Sequence, residues 1–157
     1  MREEQRVSQS ISHRLVAHEI YRRIPHDGAM RLLDAVTDWD DTMIECAAGS
    51  HADPEHPLRW LGRLAGVHAI EYAAQAVALH ASLVSGDAPL RRAYVAAFRR
   101  VDLLAERLDT LGAAPLAVRA TLKAAQGGGA QYAFDVCCAA QTLTRGMMTV
   151  AIERGVP

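Results

Sequence analysis

Cysteine is scarce in this chain: three in 157 residues, Cys46, Cys137 and Cys138, with no CxxC pair. An odd, scattered count excludes a disulfide framework, and Cys137–Cys138 in their apolar run read as small buried side chains. A reducing compartment is the expectation. An excess of one charge is also lacking, with 17 Lys+Arg against 18 Asp+Glu. The basic doublets Arg91–Arg92 and Arg99–Arg100 are not a basic block, so nucleic-acid binding has no electrostatic support. Near-neutrality also sets no repulsion against self-association. Long hydrophobic runs are absent too. The most apolar stretch is broken by Glu71, Gln75 and two histidines and falls short of the roughly 18 residues of a membrane span. The opening MREEQRVSQSISHRL has no apolar segment of the signal-peptide kind. A cytoplasmic protein with no membrane partner is expected.

Nucleotide-binding and nucleophile motifs are missing: there is no GxGxxG, P-loop or GxSxG. Gly127–Gly129 reads as a hairpin turn, not a phosphate cradle, because no helix follows it. The segment from His51 through Asp53 and Glu55 to His56 is rich in ligand types but has no recognised metal spacing. It reads as a polar loop, its histidines solvated, and no metal is expected.

What the chain does have is a core. Half of it is hydrophobic and 22% charged, which suits one globular domain. Residues 1–23 mix charges with a weak helical pattern and read as a peripheral N-terminal leader, leaving 24–157 as the domain. Pro25 and Gly28 mark a turn, followed by a short apolar segment. Ala35 to Ala48 reads as a hairpin turning near Trp39–Asp41. Arg63 to Ser85 reads as a long buried helix stopping at Ser85-Gly86-Asp87, with Gly86 as its C-cap. Strands are expected at 92–101 (extended or bent by 103–109), 116–125, 130–140 and 147–153, with a tight reversal at Gln126–Gly129. A single apolar helix needs something to wrap it, and a curved antiparallel sheet does so economically. The fold class is therefore α+β.

The central helix carries a narrow polar stripe: His68, Glu71, Gln75 and Ser82 are spaced to share one face. Glutamate is almost never fully buried without a partner or a purpose, so Glu71 is the first candidate for chemistry. To act as an acid near neutral pH it needs a pKa raised by burial. His68, three residues earlier, is the neighbour expected to hold it.

Three segments resemble the hotdog-fold beta-hydroxyacyl-acyl-carrier-protein dehydratases, and more closely their divergent branch from aryl-polyene-type pigment biosynthesis. They are Pro25-His26 with Met30-x-Leu32-Leu33-Asp34; Gly66-Val67-x-x-Ile70-Glu71-x-x-Ala74-Gln75; and Tyr94-Val95-Ala96-Ala97-Phe98 followed by Arg99-Arg100-Val101. The resemblance implies a long central helix wrapped by a curved antiparallel sheet. It also implies a homodimer, or a heterodimer with a related hotdog dehydratase, whose sheets join. No cofactor is implied, because the acyl group rides on the phosphopantetheine arm of an acyl carrier protein. In such enzymes a histidine of one subunit takes the proton alpha to the thioester. An acidic residue on the other subunit's helix helps the beta-hydroxyl leave as water. Carried over, the acid is Glu71, and backbone N–H groups at Gly66-Val67 polarise the thioester oxygen. His68 and Gln75 line the substrate site.

This chain departs from the pattern at the base. The family's histidine lies fourteen residues before the acid, where this sequence has Pro57, with His56 next to it. Either His56, after a one-residue loop adjustment, or His26 is then the base. Elimination of water to a trans-2-enoyl thioester is the first expectation. A subunit that binds carrier protein and leans on an active partner is the second, and a hotdog thioesterase the third.

Overall fold

A computed structural model describes residues 14–86 and 90–154. The first thirteen residues of the expected leader and Asp87 of the expected helix stop lie outside them. Seven strands form one antiparallel sheet: β1 (Leu15–Val16), β2 (Ala35–Trp39), β3 (Met43–Ala48), β4 (Leu90–Leu103), β5 (Leu116–Gln126), β6 (Gly129–Cys138) and β7 (Gln141–Arg154). Their order across the sheet is β1-β2-β3-β5-β6-β7-β4, and the sheet does not close. A four-residue helix, α1 (Ala17–Ile20), follows β1, and the long helix α2 (Ala69–Val84) lies against the sheet. This is the α+β hotdog arrangement expected from the sequence.

Alternation along the strands decides which face meets the helix. In β5, Leu116, Val118 and Ala120 are buried while Ala117 and Arg119 are exposed. In β6, Ala130, Tyr132, Phe134, Val136 and Cys138 point the same way. They close on Tyr72, Ala73, Ala76, Val77 and Leu79 of α2, all 0% exposed. Alanine-rich helix faces let the sheet approach closely. The β5–β6 reversal uses Gly127 (φ 58°) and Gly128 (φ 80°), as the glycine run predicts.

Three boundaries differ from expectation. The helix begins at Ala69 behind a 3-10 turn, Gly66–His68, and not at Arg63. Residues 63–65 are extended instead: Arg63 bridges Trp60 and Ala65 bridges Arg107, while the Leu64 amide donates to Asp109. The last strand starts at Gln141, six residues before Met147, and runs through Gly146, which sits against Val101 and Phe134. The described part of the leader is packed, not peripheral: Leu15 pairs with Val36, and Ile20 is 0% exposed. At the far end of the sheet β4 pairs with β7 among the described residues, and Tyr94, Val95 and Phe98 along it are 47%, 42% and 44% exposed.

Candidate active site

Glu71 lies in the first turn of α2, and His26 lies in the loop between α1 and β2. Packing of 30–33 onto the helix brings them together: His26 Nε2 is 3.4 Å from Glu71 Oε1, with both side chains part-exposed. They share the rim of a pocket of about 170 Å³. Its floor is Ala74, Ala78 and Ala81, the small side chains following Glu71 along one helix face. Its opposite wall is Ala93, Tyr94 and Val95 of β4 with Val150 of β7, so the pocket lies beside the last strand in the sheet order.

The carboxylate is held from behind by Gln75, which is 0% exposed. Gln75 Nε2 donates to Glu71 Oε1 (3.1 Å) and to Met30 O (2.8 Å), while its Oε1 accepts from Leu32 N (3.2 Å). Burial pushes the Glu71 pKa upward, but hydrogen bonds from His26 and Gln75, with the nearby His68 charge, outweigh it and hold the group below the ordinary carboxylate value. The expectation of a raised pKa is therefore corrected. An acid at this position needs a proton that its neighbours disfavour in the resting state. His26 Nδ1 is buried and has no hydrogen-bond partner among the described residues, so Nε2 is the nitrogen that faces chemistry.

The other expected site residues are placed as follows. His68 is half-buried at the helix entrance and acts on Glu71 through its charge; the carboxylate's hydrogen bonds come from His26 and Gln75 instead. Gln75 is too deeply enclosed to line the pocket. The Gly66 amide donates to Glu106 O at 2.8 Å and is thus already engaged. Gly66 has a packing reason to be glycine, since a Cβ there would lie 1.7 Å from Ala105 O. Val67 is 46% exposed beside Leu103 and Leu104, on a second concavity away from the His26–Glu71 pocket.

His56 and His51 are not solvated loop residues: they are 3% and 0% exposed. His56 Nδ1 accepts from Leu58 N (3.1 Å), which places the ring hydrogen on Nε2, 3.1 Å from Tyr72 OH. Tyr72 OH meets Ser50 Oγ at 2.7 Å, and Ser50 Oγ donates to Leu32 O. Both imidazole nitrogens are thus spent inside the fold. His51 Nε2 lies 3.1 Å from Gly112 O. Among the described residues no group of three or more His, Cys, Asp or Glu has the geometry to hold a metal.

Sequence reasoning missed Tyr21. Its hydroxyl accepts from Leu33 N (2.8 Å) and stands 3.3 Å from Gln75 Oε1. The available signal was Ile20-Tyr21 with Ile24 four residues after Ile20, an apolar pair in a charged segment.

Solved structures share this architecture. The dehydratase heterocomplex ApeI:P from Xenorhabdus doucetiae contains a chain 20% identical, with a TM-score of 0.75 over 85% of this chain and 90% of that one. A mutant thioesterase from Pseudomonas aeruginosa is 10% identical, with a TM-score of 0.64 over 90% of this chain and 96% of that one. A thioesterase from Haemophilus influenzae is 13% identical, with a TM-score of 0.57 over 76% and 77%. At these identities the likeness carries the fold alone. No curated protein sequence matches the chain. The family model described as ApeP dehydratase matches residues 18–154, nearly the whole described chain with its pocket, and the chain therefore belongs to the ApeP-like family.

Proposed function

We propose that this protein is a 3-hydroxyacyl thioester dehydratase that forms a trans-2-enoyl product, its substrate delivered on an acyl carrier protein in fatty-acid or polyene-type biosynthesis. The observation that carries the reading is the His26–Glu71 pair at the rim of an apolar pocket. With His26 Nδ1 enclosed, Nε2 and the Glu71 carboxylate hold one exchangeable proton between them. Glu71 is held below the ordinary carboxylate value, so the couple must load that proton onto the carboxylate before it can act as an acid.

Elimination starts when the proton moves to Glu71. Nε2 then takes the proton alpha to the thioester, and the C–H electron pair becomes the C2=C3 bond. The C3–O bond breaks, and the hydroxyl leaves with the Glu71 proton as water. The proton taken by Nε2 then returns to Glu71, so no proton is gained or lost over the cycle. His26 is thus assigned as base and Glu71 as acid, and both come from one protomer.

The pocket is bounded by β4, the edge strand in the sheet order, whose Tyr94 and Val95 are exposed apolar side chains that suit a partner's surface. We assign to that edge a second hotdog protomer that encloses the acyl chain. The solved ApeI:P assembly, a heterocomplex, favours a related but different chain as the partner. A thioesterase reading has one argument in its favour, since a carboxylate whose neighbours hold it below the ordinary value suits activation of water.

One experiment separates these readings. The pure protein, alone and mixed with a hotdog dehydratase partner, is given a 3-hydroxyacyl carrier protein, and the acyl mass is followed. Loss of one water, abolished by Glu71→Gln, is expected. Turnover only in the mixture assigns the chain to a two-subunit enzyme. Release of free acid assigns it to thioester hydrolysis. No change in either arm sinks the dehydratase reading.

A further inference from the structure

Three hydrogen-bonding capacities of the Gln75 amide are met inside the fold, and the fourth faces the Tyr21 hydroxyl. Two N–H groups go to Met30 O and Glu71 Oε1, and the carbonyl oxygen faces Leu32 N and Tyr21 OH. Flipping the amide would set its NH2 against the Leu32 N–H and its oxygen against Met30 O, so its direction is fixed. Glu71 Oε1 consequently always meets a donor. Tyr21 closes this arrangement, because its hydroxyl accepts from Leu33 N and has Leu33 O (3.2 Å) and Gln75 Oε1 within reach of its one hydrogen.

The same side chain has a second contact. The Arg31 guanidinium lies over the Tyr21 ring, 5.3 Å from its centroid, and Arg31 Nε reaches His26 O at 3.5 Å. Arg31 is further tied to Asp27 at 3.0 Å. The hydroxyl of Tyr21 therefore acts toward Glu71 and its ring toward His26.

We propose that Tyr21 is a positioning residue for both members of the pair, through Gln75 on one side and Arg31 on the other. This rests on the reading of His26 and Glu71 as the proton-handling couple. It gives the packed segment before the domain's expected start a role in the site. The groups facing Glu71 are His26 from the loop, Gln75 one turn along α2 and His68 at the helix entrance. Tyr21 adds no charge there, since burial pushes its own pKa to about 12.

The test uses the full chain with its glutamates labelled at the carboxyl carbon and its histidines at nitrogen. Tyr21→Phe keeps the ring and removes the hydroxyl. It is expected to move the Glu71 titration midpoint upward and to lower kcat about tenfold with KM within twofold, as loosened geometry costs rate before binding. Arg31→Gln, at a surface position, is expected to shift the His26 ring resonances and leave the Glu71 midpoint in place. A folded Tyr21→Phe protein with the wild-type midpoint and kcat overturns the proposal. So does an Arg31→Gln protein with unchanged His26 resonances, which keeps the idea exposed even where Tyr21→Phe fails to fold. If the wild-type chain turns nothing over with any partner, the function reading falls, while the two titrations still decide the positioning role.

Discussion

His26 and His56 are both imidazoles close to the helix that carries Glu71, yet their ring nitrogens are differently occupied. His56 gives both to the fold, one to Leu58 N and one to Tyr72 OH. His26 keeps Nε2 beside the carboxylate at the pocket rim. His56→Gln should therefore cost stability, about 1–3 kcal/mol for the polar groups left unpaired, while turnover stays within a few-fold. His26→Gln should lose at least about a hundredfold in kcat with little change in melting temperature, the usual scale for a missing general base. Paired melting curves and turnover rates decide this, and the reverse pattern would return the base role to His56. Glu71 was legible in the sequence because a carboxylate in an apolar helix is conspicuous by type alone. The direction of its pKa was not, because that depends on His26, which is distant along the chain, and on the amide orientation of Gln75. The histidine spacing fell next to His56, with His26 the other candidate from the opening segment; the Leu58 N–H at His56 and the contact of His26 with Glu71 separate them.

At the level of elements, the helix entrance is where sequence and structure part most. A continuous apolar pattern from Arg63 onward suits a helix, but residues 63–65 run extended so that Leu64 and Ala65 can meet Arg107–Asp109. Gly66 makes that crossing possible. Its missing Cβ is where Ala105 O sits, and backbone cannot swing aside as a side-chain tip does. Gly66→Ala should destabilise the fold by about 2–3 kcal/mol, the upper range for overpacking. Gly62 at φ 74° has open space around it, so Gly62→Asn, which tolerates that conformation, should stay within about 1 kcal/mol of wild type. Chemical denaturation of the two variants checks the contrast, and equal costs would remove the packing explanation for Gly66. The hairpins were readable because Gly127–Gly128 and the Asp40–Thr42 turn are local events, with Asp40 Oδ1 accepting from Thr42 N and Met43 N. The early start of β7 was not, because Gly146 weakens the strand pattern for the sake of Val101 and Phe134, which come from elsewhere in the sheet.

Across the described residues, three enclosed histidines set how the fold responds to acid. His51, His56 and His80 all have pKa values held below 6.5, with burial as the largest cause. His80 is served as a neutral ring: Nε2 donates to Asp40 O at 2.8 Å and Nδ1 lies 2.9 Å from Tyr132 OH. Protonating His56 sets its Nδ1 hydrogen against the Leu58 N–H. Protonating His51 puts a hydrogen on Nδ1, which has no partner among the described residues. Between each folded pKa and the unfolded value near 6.5, the unfolded chain binds more protons than the native one, so stability rises with pH. It is fully present above 6.5 and is lost as pH falls below it, by at most about 1.4 kcal/mol per pH unit for each histidine. The depressed carboxylates Glu71 and Asp40 have the same sign but act lower, where pH falls below their unfolded values near 4.5 and 3.8. The melting temperature should thus be flat from pH 8 to about 7 and decline from about 6.5 downward, well before any carboxylate titrates. His80→Gln should flatten that decline by up to one proton's worth, at some cost in absolute stability. A melting temperature constant between pH 7 and 5 would show that these rings titrate alike in folded and unfolded chains. In that case acid loss of turnover would belong to the His26–Glu71 pair and not to the fold beneath it.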